Sequence, residues 1–127
     1  MKDYNLVMLI LKKQPERDFV LLNLSDPQLS DGEWAEDHPN RKILDETVKT
    51  LVERIKPDLI TVSGDIAWAG NNVSYRRFAE YLDTFGIPWA PVWGNHDNQG
   101  GAANVNEIAE EYMEREHCVY EKGDPAI

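Results

Sequence analysis

Residues 91–98 read Pro-Val-Trp-Gly-Asn-His-Asp-Asn. The apolar run entering this stretch, Ile87 to Trp93, stops at Gly94, and the next three side chains are an amide, an imidazole and a carboxylate. Together these groups can bind a metal and move a proton. Two earlier apolar runs end in the same way, Phe19 to Leu24 at Asp26 and Leu59 to Val62 at Gly64-Asp65. If the three runs are parallel strands of one sheet, their carboxyl ends share one edge, where open α/β sheets place their ligands.

The segments between these runs fit that arrangement. After Asn40, a suitable N-cap, Ile43, Leu44, Thr47, Val48, Leu51, Val52 and Ile55 recur with helical period as one apolar stripe, and Pro57 ends the helix. Gly70-Asn71-Asn72 is turn chemistry. A second helix starting near Ser74 buries Tyr75, Phe78, Tyr81, Leu82 and Phe85 and stops at Gly86. Two prolines in Ile87–Trp93 restrict regular pairing to the second half of that strand. A polar helix over about Asn104 to Glu116 turns Val105, Ile108, Ala109 and Tyr112 inward, and a last strand covers about His117 to Glu121. The run Leu6 to Leu11 reads as a further strand beside Phe19–Leu24, in a hairpin or otherwise. Ser30 to Pro39, polar apart from Trp34, reads as a surface loop with His38 in solvent. Strands alternating with helices predict an α/β protein with a mainly parallel sheet and flanking helices.

At 127 residues the chain has room for one core and not for two domains. Its formal charge of −10 opposes binding to nucleic acid or anionic lipid, which need clusters of Lys and Arg. The same charge repels a phosphate ester unless bound cations reverse the local field. Cys118 is the single cysteine, which excludes an intrachain disulfide and makes the cytoplasm the default compartment. The N-terminal apolar run is too short for a signal peptide or a membrane span.

Each strand-end motif alone is ordinary turn chemistry, but the joint series is not. Asp26 two residues before Gln28, then Gly64-Asp65, then Gly94-Asn95-His96-Asp97, resembles the calcineurin-like metallophosphoesterase superfamily, whose blocks run Asp-x-His, Gly-Asp, Gly-Asn-His-Asp/Glu, a separate His, and Gly-His-x-His. The resemblance covers the chain from about Phe19 onward. It implies the first half of a four-layer αββα sandwich and a phosphoesterase acting on a phosphate mono- or diester through two divalent or trivalent metal ions (Mn, Fe, Zn or Mg). Carried over by position, Asp26 and Gln28 would bind the first metal, Asp65 would bridge both and Asn95 would bind the second. His96 would act on the leaving group or a phosphoryl oxygen, and Asp97 would orient its ring and raise its basicity. A bridging carboxylate holds two cations about 3.5–4 Å apart, and the pair makes hydroxide available near neutral pH.

Gln28 stands where most members of that superfamily carry His. Its carbonyl oxygen is a harder donor than imidazole and favours Mn²⁺ or Mg²⁺. A separate metal His and a Gly-His-x-His block are absent, since the other histidines are His38 and His117. Residues 1–127 are therefore expected to be part of a larger domain. The competing expectation is a half-domain that binds metal weakly without turnover and forms a homo-oligomer through its uncovered sheet. A haloacid-dehalogenase type of phosphatase is excluded, because no Asp-x-Asp nucleophile block follows the first strand. Trp34, Trp68 and Asn71 are candidates for a cleft wall.

Overall fold

The computed structural model describes residues 11–67, 72–98 and 105–121. Three parallel strands form one sheet in the order β1-β2-β3: β1 (Leu21–Leu24), β2 (Leu59–Ser63) and β3 (Trp89–Val92). Each strand is followed by a helix, α1 (Pro39–Ile55), α2 (Asn72–Asp83) and α3 (Val105–Met113). The α/β class and the parallel sheet are as the sequence predicts. The run Leu6 to Leu11 lies outside the described residues except for Leu11, as do Gly70, Asn71 and Trp68.

The strand register explains the core. Leu22 pairs with Ile60 and Ile60 with Trp89; Leu24 pairs with Val62 and Val62 with Pro91. Side chains alternate across a sheet, so these residues share one face, and Leu22, Ile60, Val62 and Trp89 are all buried on it. The opposite face carries Leu21, Asn23, Thr61, Ser63 and Val92, of which Leu21 and Val92 are 51% and 58% exposed. A short polar ladder crosses it, with Thr61 donating to Asn23 at 2.8 Å and Asn23 to Ser63 at 3.2 Å.

Several boundaries differ from the sequence expectation for physical reasons. Helix α1 begins at Pro39, whose ring suits the first helical position, and the N-cap is His38, not Asn40. His38 is half-buried and caps the helix: its Nδ1 accepts the backbone N–H of Asn40 at 3.1 Å. The α1 stripe is narrower than its periodicity suggests, since Val48 is buried while Ile43 and Ile55 are 62% and 40% exposed. Lys56, with φ +46°, returns its N–H to Val52 and ends the helix before Pro57.

The Ser30–Pro39 stretch is not a plain surface loop. Asp31–Trp34 forms a 3-10 turn, and Trp34 is buried against Phe78 and Tyr81. Its indole N–H donates to the buried Ser74 hydroxyl at 2.7 Å, and that hydroxyl donates to the Leu29 carbonyl. Arg41 lies over the Trp34 and Tyr81 rings, and Trp34, while part of the core, also lines a groove between α1 and α2 with Arg41, Asp45 and Tyr81.

The strand expected over His117 to Glu121 shrinks to one bridge, Trp89 with Cys118. Trp89 donates to the His117 carbonyl and accepts from Val119, so that side of β3 faces this segment. Two residues on, the same side presents Pro91, which has no N–H for the next rung. His117 and Cys118 do not form a metal pair here; Cys118 is fully buried and His117 turns its carbonyl to the sheet.

Candidate metal centre at the strand ends

The loops leaving the three strands are tied to one another by backbone. Asp26 donates its N–H to the Gly64 carbonyl at 3.3 Å and Gln28 to the Asp65 carbonyl at 3.1 Å, and Leu29 bridges Ala67. The second and third loops touch more closely still: a Cβ on Gly64 would meet Gly94 Cα at 2.9 Å. Gly64 has φ +106°, a conformation side chains rarely adopt, so glycine is needed there twice over.

Three candidate ligands share an unusual backbone. Asp26, Gln28 and Asp65 have φ of 54°, 46° and 51°, and the remaining non-glycine residue with positive φ among those described is the helix cap Lys56. Left-handed conformations in non-glycine residues store strain and gather at functional sites. Here they occur at the carboxyl ends of β1 and β2, where regular strand pairing stops before the parallel bridge of Leu29 with Ala67.

The site's centre is Asp65, a 9% exposed carboxylate. Its Oδ1 accepts the His96 backbone N–H at 2.9 Å, and its Oδ2 faces the Gln28 amide nitrogen at 3.4 Å. Asp26 is exposed and accepts the Ser25 hydroxyl. Asn95 is exposed and His96 half-buried. Thus Asp26, Gln28, Asp65, Asn95 and His96 all stand on the three linked loops at one sheet edge.

Asp97 has a structural role that the resemblance does not imply. Its side chain is 1% exposed and turned inward. Oδ1 accepts the Ile66 N–H at 2.8 Å, the Ala67 N–H at 3.4 Å and the Tyr75 hydroxyl at 2.9 Å, while Oδ2 accepts the Gly94 N–H at 2.7 Å. The carboxylate thus takes its hydrogen bonds from three separate parts of the chain. It clasps the loop after β2, the loop after β3 and helix α2. Tyr75 also donates to the Asp97 carbonyl at 3.2 Å, and burial together with the negative charge of Asp97 pushes its phenol well above the ordinary range, so the proton stays on the donor.

Sequence patterning places Tyr75 in an aromatic core stripe, which is correct for its ring and silent about its hydroxyl. The available signal was a tyrosine, not a phenylalanine, at a buried helical position, because a buried phenol needs a partner. Among the described residues no three His, Cys, Asp or Glu side chains are grouped to hold a metal. Two carboxylates, Asp26 and Asp65, and two amides, Gln28 and Asn95, stand on the loops at this edge, and their oxygens are of the kind that suits a hard cation. Among the described residues no helix is long and apolar enough to cross a membrane.

The α/β architecture with its three-stranded parallel sheet is consistent with a partial metallophosphoesterase fold, and the comparisons agree. The family model for calcineurin-like phosphoesterase matches residues 11–123, and the chain belongs to that family. It is 40% identical over 57 residues, 45% of its length, to a probable glycerophosphodiester phosphodiesterase of Arcobacter nitrofigilis, and spans 20% of that protein. It is 32% identical over 96 residues, 68% of its length, to a cAMP/cGMP dual specificity phosphodiesterase of Mycobacterium tuberculosis, and spans 30% of it. A phosphatase of Saccharomyces cerevisiae is 27% identical over 114 residues, 78% of this chain and 20% of the relative. The chain thus covers less than a third of each of these relatives.

Proposed function

We propose that the chain carries metal-holding and proton-transferring residues of a hydrolase for phosphate esters, with a diester as the favoured substrate class. The observation that carries this reading is the triple of left-handed residues Asp26, Gln28 and Asp65 around a buried carboxylate at the strand ends. The two phosphodiesterases among the relatives support the diester class.

Asp26, Gln28, Asp65 and Asn95 would hold the cation or cations, Asp65 being the shared ligand. Beside a cation the Gln28 amide would offer its carbonyl oxygen in place of the N–H it now turns to Asp65, and a neutral oxygen favours Mn²⁺ or Mg²⁺ over softer ions. A bound cation supplies an activated water and neutralises charge on the phosphoryl oxygens. His96, anchored through its own N–H to Asp65, gives a proton to the departing alkoxide. The acidic surface is no obstacle, because the attraction for an anionic ester is local to the cation. A cytoplasmic location accords with a lone cysteine buried as a thiol.

Metal content after exchange into metal-free buffer and again after Mn²⁺ addition, measured with hydrolysis of p-nitrophenyl phosphate and its bis-ester, tests the proposal. Asp65→Asn should lose metal, and His96→Ala should keep metal and lose turnover. Equal metal in wild type and Asp65→Asn would remove Asp65 from the site.

A second reading, cation binding without turnover in a self-associating chain, draws on the exposed Leu21 and Val92 on the sheet face opposite the buried core. Sedimentation velocity against concentration, with Val92→Lys as the control, separates it from a monomeric enzyme.

A further inference from the structure

We propose that Tyr75 is a positioning residue of the strand-end site: acting through Asp97, its hydroxyl fixes the spacing between the loop that carries Asp65 and the loop that carries Asn95 and His96. The inference rests on the metal-site reading given above.

The geometry is a chain of buried contacts. Asp65 and Ile66 are consecutive, so holding the Ile66 N–H at 2.8 Å holds the peptide next to the central carboxylate. Gly94 immediately precedes Asn95, so holding its N–H at 2.7 Å fixes the entry to the third loop. Both bonds end on Asp97, and a carboxylate can serve two loops only if its own torsions are fixed. Tyr75 does this with a single hydroxyl proton shared between Oδ1 at 2.9 Å and the Asp97 carbonyl at 3.2 Å, which ties the side chain to its own backbone.

Tyr75 is itself held rigidly. It is 2% exposed on α2, its carbonyl accepts the Tyr112 hydroxyl at 2.7 Å, and its ring meets Trp93 edge to face. Helix α2 is thereby the fixed post to which two otherwise irregular loops are tied. Bonds from a neutral hydroxyl to a buried carboxylate are among the stronger protein hydrogen bonds, because the acceptor is charged and unsolvated.

Tyr75→Phe keeps the ring and removes the donor. Tyr112→Phe is the matched control, since it deletes a buried hydroxyl one contact further from Asp97. Amide hydrogen exchange by NMR, urea unfolding and Mn²⁺ titration followed by electron paramagnetic resonance are measured on wild type, both variants and Asp65→Asn. In Tyr75→Phe, exchange at Ile66 and Gly94 should accelerate about tenfold beyond the change in global stability, and the Kd for Mn²⁺ should rise about tenfold. Tyr112→Phe, which loosens the post and leaves the clasp itself in place, should show the smaller change in both beyond its global loss.

Equal local exchange in the two phenylalanine variants overturns the clasp. An unchanged Mn²⁺ affinity in Tyr75→Phe, where Asp65→Asn does weaken it, overturns the positioning role alone. Equal Mn²⁺ binding by wild type and Asp65→Asn overturns the metal-site reading, and with it the site that Tyr75 is said to position.

Discussion

Gly94 and Asp65 approach so closely that a Cβ on Gly94 would lie 2.2 Å from the Asp65 carboxylate oxygen and 2.5 Å from its backbone nitrogen. No side chain other than hydrogen fits there without moving the backbone of Asp65. Gly94→Ala should therefore destabilise the protein by about 1–3 kcal/mol and abolish cation binding. Gly32→Ala, where nothing lies within 4 Å, should change stability by less than about 0.5 kcal/mol. Urea midpoints and Mn²⁺ titrations of the pair check this, and similar behaviour of the two variants would refute the contact.

Asp97→Asn tests the clasp from its acceptor side. An asparagine of the same shape replaces one acceptor oxygen by a donor amide, which must then face either the Gly94 N–H or the Ile66 and Ala67 N–H groups. One set of buried donors is left unmatched, at a cost of about 1–3 kcal/mol. The urea midpoint should fall with little change in slope. An unchanged midpoint would mean that these bonds carry no net stability.

Acid should loosen the fold through its paired carboxylates. Bidentate pairing with Arg76, at 2.8 Å for each bond, holds the Glu111 carboxyl below its ordinary range; Arg17, then the Val20 N–H, does the same for Asp58; the Ser30 N–H does so for Glu33. A carboxyl whose folded pKa is depressed stabilises the protein above its unfolded value and loses that contribution as pH falls through the folded value. Stability should decline below about pH 4, the ordinary carboxyl range. Glu111→Gln should be less stable than wild type at pH 7, and the gap should close towards pH 3. A gap that stays constant across that interval would show that the pair has no part in acid sensitivity.

Much of this was legible in the sequence because parallel strands and amphipathic helices are written in local patterns. The three strand ends, α2 with its aromatic stripe, and the grouping of Asp26, Gln28, Asp65, Asn95 and His96 on one edge all follow from apolar runs broken at Gly or Asp. What escaped depended on long-range hydrogen bonds. The burial of Trp34 depends on Ser74, 40 positions away, and the inward turn of Asp97 on N–H groups about 30 positions earlier and on Tyr75. The last strand failed because Pro91, harmless within β3, withholds the N–H that a neighbour on that side requires.

Gln28→His separates a ligand at the end of β1 from a bystander. Position 28 has φ +46°, and histidine is among the residues that tolerate left-handed backbone better than most, so the loop should survive the change. The amide now directs its nitrogen to Asp65 Oδ2 at 3.4 Å, close enough that any cation held by Asp65 would be felt at position 28. Imidazole is a softer donor than an amide oxygen, so the substitution should raise Zn²⁺ affinity relative to Mn²⁺ by roughly tenfold while leaving urea stability in metal-free buffer nearly unchanged. Competition titrations of Zn²⁺ against Mn²⁺ on wild type and variant measure the ratio directly. If the ratio does not move, Gln28 does not touch the cation, and the backbone strain at this position serves only to bring Asp26 beside Gly64.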